Sequence, residues 1–93
     1  MKMEKDFVIP FIYAQDCRHC ELMRAYLEDL CDKYDCILVS YDSESDEALE
    51  VGLKHDIDEL PGCVIGEIVI KGNNFNKRLL QTAIFQWKQE NAL

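Results

Sequence analysis

The chain has 93 residues, 48% apolar and 30% charged, with a net charge of −8. That length makes one domain, residues 1–93, with a modest core and no room for a second. Its ten Lys and Arg are scattered, with Lys77-Arg78 the one adjacent pair, which argues against the clustered cations that a nucleic-acid backbone demands. No apolar run approaches the ~20 residues of a membrane span. The first six residues carry charges where a signal peptide needs a continuous apolar segment. A monomer in the cytoplasm, without nucleic-acid or membrane partners, is the expectation.

Phe7 to Ala14 is rich in aromatic and β-branched residues and predicts a buried strand. Pro10 has no N–H for a ladder, so the strand either begins near it or carries a bulge there. Cys17-Arg18-His19-Cys20 follows. Asp16 or Cys17 can cap a helix, Glu21 suits its first turn, and Met23, Tyr26, Leu27, Leu30, Cys31 and Tyr34 give it one apolar face. Cys36 to Tyr41 predicts a second strand. The acidic run Asp42 to Glu47 supplies caps for a short helix ending near Gly52 to Lys54, and reads as a solvated helix start in preference to a docking patch. Cys63 to Ile65 and Ile68 to Ile70 are short strands joined by a tight turn at Gly66-Glu67. After the break at Gly72 to Asn74, a last helix begins at Phe75 or Asn76 and buries Leu80, Ala83, Ile84 and Trp87. The order β-α-β-α-β-β-α predicts an α/β domain: a four-stranded mixed sheet with a parallel opening pair, a closing hairpin, and three flanking helices.

Five cysteines stand at positions 17, 20, 31, 36 and 63, an odd set that does not suit a secreted disulfide scaffold. At this cysteine frequency, chance order would place a C-x-x-C in roughly a quarter of such chains, so context must carry the motif. The context is strand, loop, cysteine pair, helix. A sulfur at a helix start meets unpaired N–H groups and the positive end of the dipole, both of which stabilise a thiolate. A free thiol is only about 3% ionised at pH 7, and a fall of two units in its pKa corresponds to about 2.7 kcal/mol. Arg18 and protonated His19 favour the charge on Cys17, while Asp16 and Glu21 oppose it. Zinc or an iron–sulfur cluster is the competing use of the pair, but no second ligand pair stands at metal spacing. Cys31 and Cys36 read as buried small apolar residues. Cys63, two residues past Pro61, has two readings: a core residue, or a third thiol near Cys17 able to form an alternative disulfide. His55 and Trp87 read as core or near-core residues.

The element order and the placement of Cys17-Arg18-His19-Cys20 resemble the thioredoxin fold in its minimal, glutaredoxin-sized form, over about residues 7 to 90. The segment from His55 through Ile57 to Leu60-Pro61 is similar to the family stretch that ends in a cis-proline, and Gly72 resembles the glycine leading into the last helix. The resemblance implies that Pro61 is cis beside the cysteine pair and that Leu60 offers its backbone to substrate, with Arg18 beside them in the substrate-contacting set. It implies thiol–disulfide exchange in which Cys17 attacks and Cys20 resolves the mixed disulfide, with His19 assisting. His19 before the second cysteine is similar to protein disulfide isomerases and bacterial disulfide oxidants, which implies a site less reducing than thioredoxin. The usual buried acid of the first thioredoxin strand is absent, and Gly72 to Asn74 lacks the glycine pair and acid with which glutaredoxins hold glutathione. The expected function is a dithiol oxidoreductase in electron transport, acting on protein or small-thiol disulfides. It needs no bound cofactor, with glutathione as a possible co-substrate and either glutathione or a reductase as electron donor. The alternative is a non-catalytic adaptor or redox sensor using Cys17–Cys20 as a latch.

Overall fold

Strand β1 (Val8–Tyr13) occupies the middle of the sheet, and its alternating side chains divide the molecule into two layers. A computed structural model describes residues 7–91; the charged stretch 1–6 and the last two residues lie outside it. Ile9 and Phe11 point into the main core, which α1 (Arg18–Tyr34) and α3 (Lys77–Glu90) close from above with Met23, Leu27, Leu30, Leu80 and Ile84. Ile12 points the other way, toward α2 (Asp46–His55). The remaining strands are β2 (Ile37–Asp42), β3 (Gly62–Ile65) and β4 (Ile68–Lys71), with a 3₁₀ turn at Gly72–Asn74 before α3.

The sheet order is β2-β1-β3-β4, with β1 and β2 parallel and the other two pairings antiparallel. This is the expected four-stranded mixed sheet with three helices. The hairpin turns at Gly66, whose φ of 65° lies in the left-handed region that favours glycine.

Pro10 behaves differently from either expectation. It sits inside β1, in unbroken register opposite Val39. The carbonyls of Phe7 and Tyr13 accept bonds from Ile37 and Ser43, so the odd-numbered residues turn their polar groups toward β2. Pro10 therefore turns its missing N–H toward β3. The β1–β3 register covers only Phe11 and Ile12, so that missing donor leaves no ladder bond broken.

Each helix start is capped by the residue type its sequence offers. Ser45 Oγ accepts from the Ala48 N–H at 3.1 Å, and Asn76 Oδ1 accepts from the Leu79 N–H at 2.9 Å. The first two helices end on aspartates, Asp35 and Asp56, in left-handed geometry with φ of 61° and 57°. Helix α2 consequently runs past Gly52 to His55. A short polar side chain replaces the glycine usual at that position.

Candidate active site

β1 and β2 run parallel, so the loops leaving their carboxyl ends, and the amino-terminal turns of α1 and α2 that follow, gather at one end of the sheet. Ile12 pairs with Gly62, which brings Pro61 to that same end. Here the chain closes a disulfide between Cys17 and Cys20, with a Cα separation of 5.2 Å. Cys17 is the N-cap of α1. Its Sγ accepts from the Cys20 N–H at 3.1 Å, and its carbonyl accepts from the Glu21 N–H at 3.1 Å. When the pair is reduced, that same N–H and the dipole of a 17-residue helix are aimed at the Cys17 sulfur.

The two sulfurs differ in access. Cys17 is half-buried, whereas Cys20 is 1% exposed. An outside disulfide can meet Cys17 and cannot meet Cys20 without movement. Arg18 and His19 lie exposed on the first turn of α1, between the two cysteines in the chain. Asp16 precedes the pair with a φ of 58°, turning the chain sharply from the strand into the helix.

The Leu60–Pro61 peptide bond is cis, as the resemblance implied. Pro61 is buried and Leu60 exposed. Three contacts hold this loop. The Pro61 carbonyl accepts from the Gly72 N–H at 2.9 Å. Lys71 Nζ donates to the Asp56 carbonyl at 2.9 Å and pairs with Asp58 Oδ1 at 2.7 Å. That pairing holds the Asp58 carboxyl below and the Lys71 ammonium above their ordinary pKa values. Gly72 has a φ of 59°, and the Glu59 side chain fills the place where a Cβ would stand.

Sequence reading passed over several residues that set this geometry. Gln15 Nε2 donates to Asp42 Oδ2 at 2.8 Å, which ties together the loops that leave β1 and β2. The Glu44 N–H, and after it this bond, lower the Asp42 pKa. The Arg24 guanidinium lies 4.4 Å above the Tyr13 ring and fastens α1 to the end of β1. These partners are far apart in sequence and none belongs to a motif. Asp42 alone is singled out in the sequence, as the first residue of the acidic run that supplies helix caps.

The other cysteines lie elsewhere. Cys31, Cys36 and Cys63 are free, with Cys31 and Cys63 inside the core between the sheet and α1. Cys63 has Cys31 as an electrostatic neighbour, so it takes the core reading. Burial pushes the Cys31 thiol from 9.0 up to about 12, and Cys36 adds to the effect. Burial also raises Cys36 and Cys63. Reduced protein treated with iodoacetamide near pH 7.5 should therefore label Cys17 first and Cys36 slowly, and Cys31 and Cys63 only after denaturation. Because the folded state keeps Cys31 protonated while the unfolded thiol ionises above about pH 9, stability should fall as pH rises from 9 toward 12. Thermal melts at pH 8 and pH 10.5 read that decline, and Cys31→Ala should lessen it, the remainder coming from Cys63 and Cys36. Among the described residues, no three His, Cys, Asp or Glu side chains converge to hold a metal ion.

Comparison of the whole structure with solved ones decides the architecture. Thioredoxin 1 from Thermosipho africanus TCF52B matches with a TM-score of 0.71 at 17% identity, covering 92% of this chain and 99% of that one. The fold is that of thioredoxin. Oxidised mitochondrial thioredoxin 3 from Saccharomyces cerevisiae gives a TM-score of 0.70 at 24% identity over 89% of this chain and 80% of that one. An uncharacterised thioredoxin-like protein from Clostridium perfringens gives 0.70 at 18% over 91% and 73%. No protein-family model and no curated protein matches the sequence. Within this fold the Cys17–Cys20 disulfide stands at the amino-terminal start of α1. Among the described residues, no helix is long and apolar enough to cross a membrane.

Proposed function

We propose that this protein is a thiol–disulfide oxidoreductase whose reacting centre is Cys17–Cys20. The supporting observation is the unequal access of the two sulfurs at the capped start of α1: Cys17 reachable and facing an N–H donor, Cys20 enclosed. The Cys17 thiolate attacks one sulfur of a substrate disulfide, and the leaving sulfur departs as a thiolate that takes up a proton. Cys20 gives up its proton and attacks the Cys17 sulfur, the second substrate thiol leaves, and the intramolecular disulfide closes. Substrate gains two electrons and the pair loses two. Arg18 and the Leu60–Pro61 loop supply the substrate contacts, and His19 assists the pair from the exposed face of the same helical turn.

The substrates are disulfide-bearing polypeptides or small disulfides, and the electron donor is glutathione or a dithiol reductase. No resident cofactor takes part. Three free thiols, at Cys31, Cys36 and Cys63, suit a reducing compartment, which supports the cytoplasm as the location. Insulin reduction and exchange with a glutathione mixed disulfide are the direct tests. Catalytic turnover in either supports the enzyme, whereas absence of turnover in both would assign the pair to a latch in an adaptor.

A further inference from the structure

Charge in this chain is concentrated in one place. Residues 42–60 hold eight of the 18 Asp and Glu but only one of the ten Lys and Arg, Lys54, so they account for −7 of the net −8. They form the end of β2, helix α2 and the loop into Pro61. Between α2 and that loop lies a cleft of about 390 Å³, floored by Ile12 and Ala48 and walled by Leu49, Leu53, Ile57 and Leu60. Leu49 is 60% exposed and Leu53 is 76% exposed, one helical turn apart on the same face. The same two leucines also border a shallower depression with Asp46, Glu47 and Glu50. An apolar ridge thus runs between two acidic margins, Asp46, Glu47 and Glu50 on one side and Asp56 and Asp58 on the other. Lys71 neutralises part of the second margin through Asp58 and leaves the first untouched.

We propose that this cleft docks a cationic, amphipathic segment of the polypeptide substrate, with apolar side chains set on the leucines and flanking Lys or Arg over the acidic margins. The inference rests on the oxidoreductase reading for the word substrate, and it deepens that reading by naming the substrate's chemistry. Two observations select this occupant. The margins are complementary to a basic chain and repel an acidic one, as like charges across an interface cost affinity. The cleft also opens at the same end of the sheet as the cysteine pair, because Leu60 belongs both to its wall and to the cis-proline loop that the Ile12–Gly62 pairing brings to that end. A substrate whose disulfide lies at Cys17 can therefore extend past Leu60 into the cleft without leaving the surface.

The test uses the oxidised full chain, so that binding is read apart from chemistry. Two fluorescent peptides without cysteine are compared by anisotropy, one alternating Leu and Lys, the other Leu and Glu. The Lys peptide should bind at least about tenfold more tightly in ~50 mM salt and lose most of that advantage at ~500 mM, where exposed charges are screened. Amide shifts in NMR should cluster on Leu49, Leu53, Ile57 and Leu60. Leu49→Ser with Leu53→Ser, both at exposed positions, should weaken the Lys peptide about fivefold or more, and Glu47→Lys with Glu50→Lys should reverse the peptide preference. Equal affinity for the two peptides, no binding of the Lys peptide, or shifts confined to another face would overturn the docking surface. Absence of insulin reduction with intact, charge-selective peptide binding would count against the oxidoreductase reading and leave the surface standing as an adaptor's.

Discussion

Replacing Cys17 with Ser should reduce disulfide turnover by roughly a thousandfold or more, because no other reachable sulfur can start the exchange. Cys31 and Cys63 are buried in the core with thiols that resist ionisation, and Cys36 lies at the opposite end of α1 from the reacting pair. Replacing Cys20 with Ser should have a different consequence. The first attack survives, the resolving step does not, and substrate accumulates as a mixed disulfide on Cys17. Non-reducing gels and peptide mapping read both outcomes. A Cys17→Ser protein that keeps its turnover, or a Cys20→Ser adduct found on another cysteine, would move the chemistry away from the helix start.

Phe11→Ala should cost about 3–5 kcal/mol of stability, among the largest effects of any single truncation in this fold. Phe11 is fully buried at the centre of the sheet. Its ring meets Phe75 edge-on at 5.7 Å and Tyr13 in a stacked arrangement at 6.3 Å. In a chain of this size such a loss lowers the melting midpoint by more than about 10 °C. Urea unfolding followed by circular dichroism measures it directly. A loss below about 1 kcal/mol would mean that the core relaxes around the missing ring. The change reaches the site as well, since Tyr13 carries the Arg24 contact that fastens α1 to the strand leading into the cysteine loop.

Much of this was legible in the sequence because its signals are local. The apolar face of α1 follows helical spacing, and Met23, Leu27, Leu30 and Cys31 are all buried. Gly66 marked the hairpin, and Leu60-Pro61 marked the cis bond. What escaped is long-range or depends on direction. Pro10 suggested an interruption, yet whether a proline harms a strand depends on which neighbour its nitrogen faces, and that requires the register. The helix end expected near Gly52 to Lys54 falls one residue short of His55, because Asp56 itself adopts the left-handed turn that closes α2. The Gln15–Asp42 bond and the Lys71 bridge join residues far apart in the chain, for which composition carries no trace. At the site, the cysteine pair was legible and its supports were not. The acidic run from Asp42 is the solvated helix start it reads as, capped by Ser45, while nothing in the linear pattern shows that Leu49 and Leu53 stand exposed beside a cleft.

The N–H aimed at the Cys17 sulfur favours the reduced pair, and a stabilised reduced form makes a disulfide more oxidising. The central claim is that Cys17 and Cys20 form a reversible two-electron couple. The most direct measurement is equilibration of the protein in glutathione redox buffers, followed by acid quenching, alkylation and mass mapping of all five cysteines. The account predicts one two-electron transition confined to Cys17 and Cys20, with a midpoint above the thioredoxin value of about −270 mV. A Cys17–Cys20 linkage that does not respond to the buffer, or a transition carried by Cys31, Cys36 or Cys63, would contradict it.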